Sequence, residues 1–100
     1  MGSAEAERLR QLLVSLAQSD ASRDEKVARF QQFASKLEAS TAGSWQAARI
    51  PTTDGSEAFL GRLGEVVVFT VDGGVFRGRV GSYRPRLDGI ELDYSKLVRL

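Results

Sequence analysis

Residues 64–100 read GEVVVFTVDGGVFRGRVGSYRPRLDGIELDYSKLVRL, and the order of apolar runs and glycine turns in this stretch decides the fold. Residues 65–71 are nearly all apolar or β-branched, the composition of a central strand covered on both faces. Asp72-Gly73-Gly74 is a hairpin turn, because glycine accepts the positive φ that a tight reversal requires. A second strand over 75–83 contains Gly78 and Gly81, where missing side chains permit a sharp bend or a close crossing. Residues 84–89 make the next turn. In 90–94, Ile90, Leu92 and Tyr94 alternate with Glu91 and Asp93, so one face is dry and the other wet. Residues 96–100 supply a short last strand. Four or five short, curved antiparallel strands predict a small, strongly bent SH3-like or Sm-like barrel.

Working outward, 56–63 (SEAFLGRL) reads as one or two helical turns burying Phe59, Leu60 and Leu63. Residues 41–56 form a linker of small and polar residues, with Pro51 biasing Ile50 to an extended backbone and Trp45 and Ile50 as anchors. Upstream, Leu9, Leu12, Leu13 and Leu16 fall at i, i+3, i+4 and i+7, an apolar helix stripe over 4–18. A second helix over 23–39 sets Val27, Phe30, Ala34 and Leu37 on one face, with Phe33 widening it. Ser22 and Glu25 have the spacing of a capping box. The predicted class is α+β: a helical hairpin over 1–40, the linker, and the barrel over 57–100, acting as one cooperative unit. The two stripes serve either packing against the sheet or a partner surface. On the second reading, Leu9, Leu12, Leu16, Phe30 and Phe33 form the helix interface.

The C-terminal half resembles the Sm and Sm-like (Hfq-type) family. The residues that carry the resemblance are a short helix at 57–63, alternating Val66, Val68 and Thr70, the Asp72-Gly73 turn, Phe76, the bend at Gly78, and Val80 and Tyr83. The resemblance implies a small barrel, oligomeric assembly and contact with RNA, with Asp88 near the family's RNA-contacting position. Arg84 stands where the family carries an acidic residue. The family's second motif has no counterpart in Asp93-Tyr94-Ser95-Lys96.

The chain has 14 basic and 13 acidic residues, for a net charge of +1, so attraction to nucleic acid or an anionic membrane is not built into the whole molecule. Local clustering is a different matter. Arg77, Arg79, Arg84 and Arg86 lie in a window, 73–87, free of acidic residues. Arg77 and Arg79 are two apart on a strand and project from one face, with Tyr83 further along. Guanidinium forks fit phosphate or carboxylate, and the ring could stack on a base. Arg77, Arg79, Tyr83, Arg84 and Arg86 are therefore the candidate contacts for a protein partner or nucleic acid, unless Glu65, Glu91 and Asp93 on adjoining strands balance them.

With neither histidine nor cysteine, the commonest catalytic base, the thiolate nucleophile and sulfur-ligated metals are unavailable. Asp88, Glu91 and Asp93 have the spacing of a wet strand face rather than of a paired catalytic set. No enzyme activity, cofactor or metal is expected. No apolar run nears the roughly 20 residues that span a bilayer. The acidic start lacks the basic-then-apolar layout of a signal peptide, so no membrane partner and a cytoplasmic location are expected. A short chain buries a modest core, which favours a homo-oligomer. The expectation is a non-catalytic protein-binding, assembly or regulatory module, an adaptor that self-associates. A nucleic-acid-binding regulator using the arginine strand is the alternative.

Overall fold

The computed structural model describes residues 3–38 and 45–100. Helix α1 spans Ser3–Gln18 and α2 spans Arg23–Glu38. Between them, Ser22 Oγ accepts a hydrogen bond from the Glu25 N–H, the N-cap half of the expected box. Among the described residues seven strands follow: β1 (Ile50–Pro51), β2 (Glu57–Leu60), β3 (Val66–Phe69), β4 (Val75–Gly78), β5 (Tyr83–Arg86), β6 (Gly89–Leu92) and β7 (Val98–Arg99). They make a five-stranded antiparallel sheet in the order β1-β2-β3-β4-β7 and a two-stranded sheet of β5 and β6. The class is α+β, as the sequence predicts.

The central strand explains the layering. All four residues of β3 are fully buried, because the sheet is covered on both sides. On one side Val67 and Phe69 join Phe59, Val75 and Trp45 against Leu9, Leu13, Leu16, Val27, Phe30 and Ala34 of the helices. On the other, Val66 and Val68 pack with Ala58, Ile90 and Leu97. The two-stranded sheet supplies part of that second cover. It is tied to the first sheet by the parallel bridge between Thr52 and Ile90, and its own hairpin is extended by the Asp93 N–H donating to Ser82 O.

Several local expectations differ from the structure: the turn predicted over 84–89 shrinks to Leu87 and Asp88, because Arg84, Pro85 and Arg86 pair with Glu91, Ile90 and Gly89 as β5. The predicted helical turns over 57–63 are instead β2, whose residues pair with β3 from Glu57–Phe69 to Leu60–Val66. Pairing with a fully buried strand outweighs the helical preference of Glu57, Ala58 and Leu60. The single strand predicted over 75–83 ends at Gly78 and resumes at Tyr83. A Cβ on Gly78 would lie 2.4 Å from Leu97 Cδ2 and 2.5 Å from Ser82 Oγ, so the chain turns tightly there. The last strand begins later than expected, because a 3₁₀ turn occupies Tyr94–Lys96, with Asp93 capping it through the Ser95 N–H. Of the predicted linker, 45–56 is built into the sheet by Trp45 and β1, whereas 41–44 lie outside the described residues.

Two turns are near copies of one another. In Thr52-Thr53-Asp54-Gly55-Ser56 and Thr70-Val71-Asp72-Gly73-Gly74, the threonine hydroxyl donates to the aspartate and the aspartate accepts the N–H two residues on. Helix α2 grips both. Arg23 Nη1 donates to Gly55 O at 2.9 Å, and the buried Lys26 Nζ donates to Gly73 O at 2.8 Å.

Candidate docking groove

Where β4 ends, the turn at 79–82 swings outward and β7 returns beside it. An open groove of ≈ 710 Å³ lies between them, and its lining includes Arg77, Arg79, Val80, Lys96, Val98 and Leu100. Val80 is positioned by Gly64: its Cγ2 sits 2.1 Å from where a Cβ on that glycine would be. Only a glycine lets the valine lie flat on the backbone there, yet Val80 remains 72% exposed. Val98 is 63% exposed and Leu100 39%. Apolar side chains so placed lower the free energy when something covers them, at roughly 25 cal/mol per Å².

The cations in this groove differ in availability. Arg77 Nη2 is held by Glu65 Oε2 at 2.9 Å, with both side chains about a third exposed. Lys96 makes a loose, exposed contact with Asp93 at 3.8 Å. Arg79 is exposed and has no ion-pair partner among the described residues. The other three predicted contacts lie on β5. The Tyr83 hydroxyl donates to Gly64 O at 2.9 Å and its ring packs half-buried against the second core cluster, which fixes the ring in place. Arg86 grips Glu91 with two nitrogens, at 2.6 and 2.9 Å. Arg84 is exposed near Asp93. Asp93 is held below the usual carboxylate range, first by the Ser95 hydroxyl and then by the Ser95 N–H and the charges of Lys96 and Arg84. Glu65 and Glu91 thus engage Arg77 and Arg86, Asp93 lies beside Lys96 and Arg84, and the arginine window divides between two grooves that meet at Gly81.

The five helix residues named as an interface all face the chain's own core. Leu9, Leu16 and Phe30 are buried there, and Leu12 and Phe33 pack against them half-buried. Phe30 lies within 6.0 Å, centroid to centroid, of Phe33, Trp45, Phe59 and Phe69.

Sequence reasoning missed one polar cluster. The Tyr94 hydroxyl donates to Asp54 Oδ2 and lies 3.3 Å from Ser56 Oγ, while Asp54 Oδ1 also accepts from the Thr52 hydroxyl and the Ser56 N–H. Partial burial alone would raise the Asp54 carboxyl, but these donors outweigh it and bring it down to about 2. Burial, and then the bond to Asp54, push the Tyr94 hydroxyl up. A carboxylate so stabilised is a poor proton acceptor at neutral pH, and the cluster works as a turn lock. Among the described residues, no group of three or more metal-ligating side chains is placed to hold an ion, and no helix is long and apolar enough to cross a membrane. Val80, Val98 and Leu100 were also missed, because valine and leucine in a strand-like run read as core.

Comparison with protein families, curated proteins and solved structures finds no match to this chain.

Proposed function

We propose that this chain is a non-catalytic protein-binding module, an adaptor or regulatory subunit whose docking surface is the groove between the 79–82 turn and β7. One observation carries the reading: Val80, Val98 and Leu100 stand exposed together beside an uncommitted arginine, Arg79. Apolar contact area edged by guanidinium is the composition of a protein interface core and rim. A nucleic-acid surface would want free aromatic faces and an unbroken cationic track. Here Glu65 and Glu91 neutralise two of the four arginines, which breaks the cationic track.

We also read the two sheets as walls of a small SH3-like barrel. The Thr52–Ile90 bridge, the Thr53 N–H donating to Ile90 O and the apolar cluster shared by the two sheets support that reading.

A peptide library with no sequence bias, selected on the immobilised protein, tests the module. Recovered peptides should bind the protein and lose at least about tenfold in affinity to Val98→Glu or Val80→Glu, since a buried unpaired charge is costly in an interface. These positions are exposed, so the variants should keep the parent's circular dichroism. Recovery of no peptide sensitive to either substitution would overturn the reading.

A further inference from the structure

Asp-Gly occurs three times in the chain, as Asp54-Gly55, Asp72-Gly73 and Asp88-Gly89, each time at a turn. Glycine has no Cβ to shield its amide, so here a backbone nitrogen most readily approaches the preceding carboxyl. The first two sites are built alike. Thr52 and Thr70 stand two residues ahead of the aspartate and donate their hydroxyls to it, and the N–H of Ser56 or Gly74 closes the other side. Tyr94 adds a third donor to Asp54. Despite partial burial, these donors hold the Asp54 carboxyl at about 2, and the Thr70 hydroxyl and then the Gly74 N–H lower that of Asp72. Both carboxyls are therefore tied in place and rarely protonated at neutral pH.

Asp88 lacks this lock. Arg86 stands where the threonine would, and its guanidinium is committed to Glu91. The Asp88 side chain is exposed and makes no hydrogen bond or ion pair among the described residues. Leu87 beside it is fully exposed, so the side chains of this tip turn freely. The amides do not separate Asp72 from Asp88. Gly73 N–H donates to Thr70 O, and the alternation set by the Asp93 N–H to Ser82 O bond makes Arg86 and Gly89 a bonded pair as well. The difference lies in the carboxyl.

From this contrast we infer that Asp88-Gly89 is a site of spontaneous backbone rearrangement, at which the peptide link passes from the α- to the β-carboxyl of Asp88. When the hairpin tip opens, the Gly89 nitrogen bonds to Cγ of the protonated Asp88 carboxyl, whose hydroxyl leaves with the amide proton as water. Water then adds to the α-carbonyl of the five-membered imide and breaks its bond to nitrogen. The chain now runs on through Cβ, and the α-carboxylate is free. The product is longer by one backbone carbon where there is no room for it. Gly89 has φ +133°, and a Cβ there would lie 2.4 Å from Pro51 O. The displacement falls on the seam between the sheets, where Thr53 N–H donates to Ile90 O and Thr52 bridges Ile90. Asp88 lies outside the docking groove, so the rearrangement proceeds whatever binds there.

Trypsin places the three sites on separate peptides, 50–62, 63–77 and 87–96. Folded protein is aged for weeks at neutral pH and body temperature, and β-linked aspartate is located in each peptide by electron-transfer fragmentation. Asp88 should convert at least about fivefold faster than Asp54 or Asp72, the factor set by one hydrogen bond that must break first. In urea the locks are gone, and the three rates should converge. Thr70→Val should raise the rate at Asp72. Asp88→Glu, which would have to close a larger ring, should stop conversion at 88 and remove the fall in urea midpoint that ageing brings. Equal rates in the folded protein, or Asp54 or Asp72 ahead of Asp88, overturn the assignment. A difference that persists in urea, or an unchanged Asp72 rate in Thr70→Val, overturns it too, since the neighbouring sequence and not the fold would then set the order.

Discussion

Asp54 shows how one side chain makes stability depend on acidity. Its carboxyl stands near 2 in the folded chain against an ordinary 3.8. A depressed folded value means the contribution is fully present above the ordinary value and is lost as pH falls through the folded one. The side chain is exposed, so solvent screening reduces the contribution to about 1 kcal/mol. The urea midpoint should fall between pH 4 and pH 2, and Asp54→Asn should flatten that fall while lowering the midpoint at neutral pH. Two glycines make a second test at this scale. Gly89 has φ +133°, and a Cβ there would lie 2.4 Å from Pro51 O, whereas Gly81 has φ +95° with nothing within 4 Å. Gly81→Ala should cost about 1–2 kcal/mol for the backbone alone. Gly89→Ala adds a clash with a carbonyl that is fixed in β1, and should exceed it by at least about 1 kcal/mol. Chemical denaturation of the two variants side by side gives the comparison.

Helix α2 does more than cover the sheet, since Arg23 and Lys26, three apart on one face, hold the carbonyls of two equivalent turns. Lys26→Met keeps the apolar stem and removes the donor, and should cost about 1–2 kcal/mol in urea unfolding. At this scale much of the fold was legible. The leucine and phenylalanine stripes gave both helices, Val66–Phe69 read as central because no position was polar, and Asp72-Gly73-Gly74 marked its own turn. β2 was not legible, because four residues carry too little periodicity to separate strand from helix, and its identity comes from β3. The bend after Gly78 was foreseen as a kink, but a full break depends on Leu97 and Ser82 packing against that glycine. The candidate site was half legible. Alternation placed Arg77 and Arg79, but their partners depend on strand register, which brings Glu65 to Arg77 across 12 residues. Exposure of Val80 and Val98 is likewise set by where the sheet stops, which residue type alone does not encode.

For the whole molecule, helices and sheet share one cluster that runs from Leu9 to Val75. Neither part can separate without exposing that surface, so unfolding should be a single transition. Trp45 is the only tryptophan and is buried edge-on to Phe30 at 5.6 Å, so its fluorescence reports the helix–sheet contact directly. Fluorescence and far-ultraviolet circular dichroism should give superimposable denaturation curves; separated midpoints would mean that the helices detach first. Light scattering at low and moderate salt, read against the monomer mass of 10.9 kDa, should show no bound nucleic acid by the 260/280 absorbance ratio, since a net charge of +1 gives little long-range attraction to it.

The way β7 joins the sheet bears on when the docking groove exists at all. Hairpin β3–β4 pairs residues 6 to 12 apart in sequence, but β7 must return to β4 across 21 to 23 residues. Closing the longer loop costs more chain entropy, which is offset by two residue pairs, the Leu100 N–H bond to Val75 O and the burial of Leu97. β7 should therefore open more readily than the β3–β4 hairpin, which faster hydrogen exchange at the Leu100 amide than at those of β3 would show. A partner that covers Val98 and Leu100 would then also hold β7 in place.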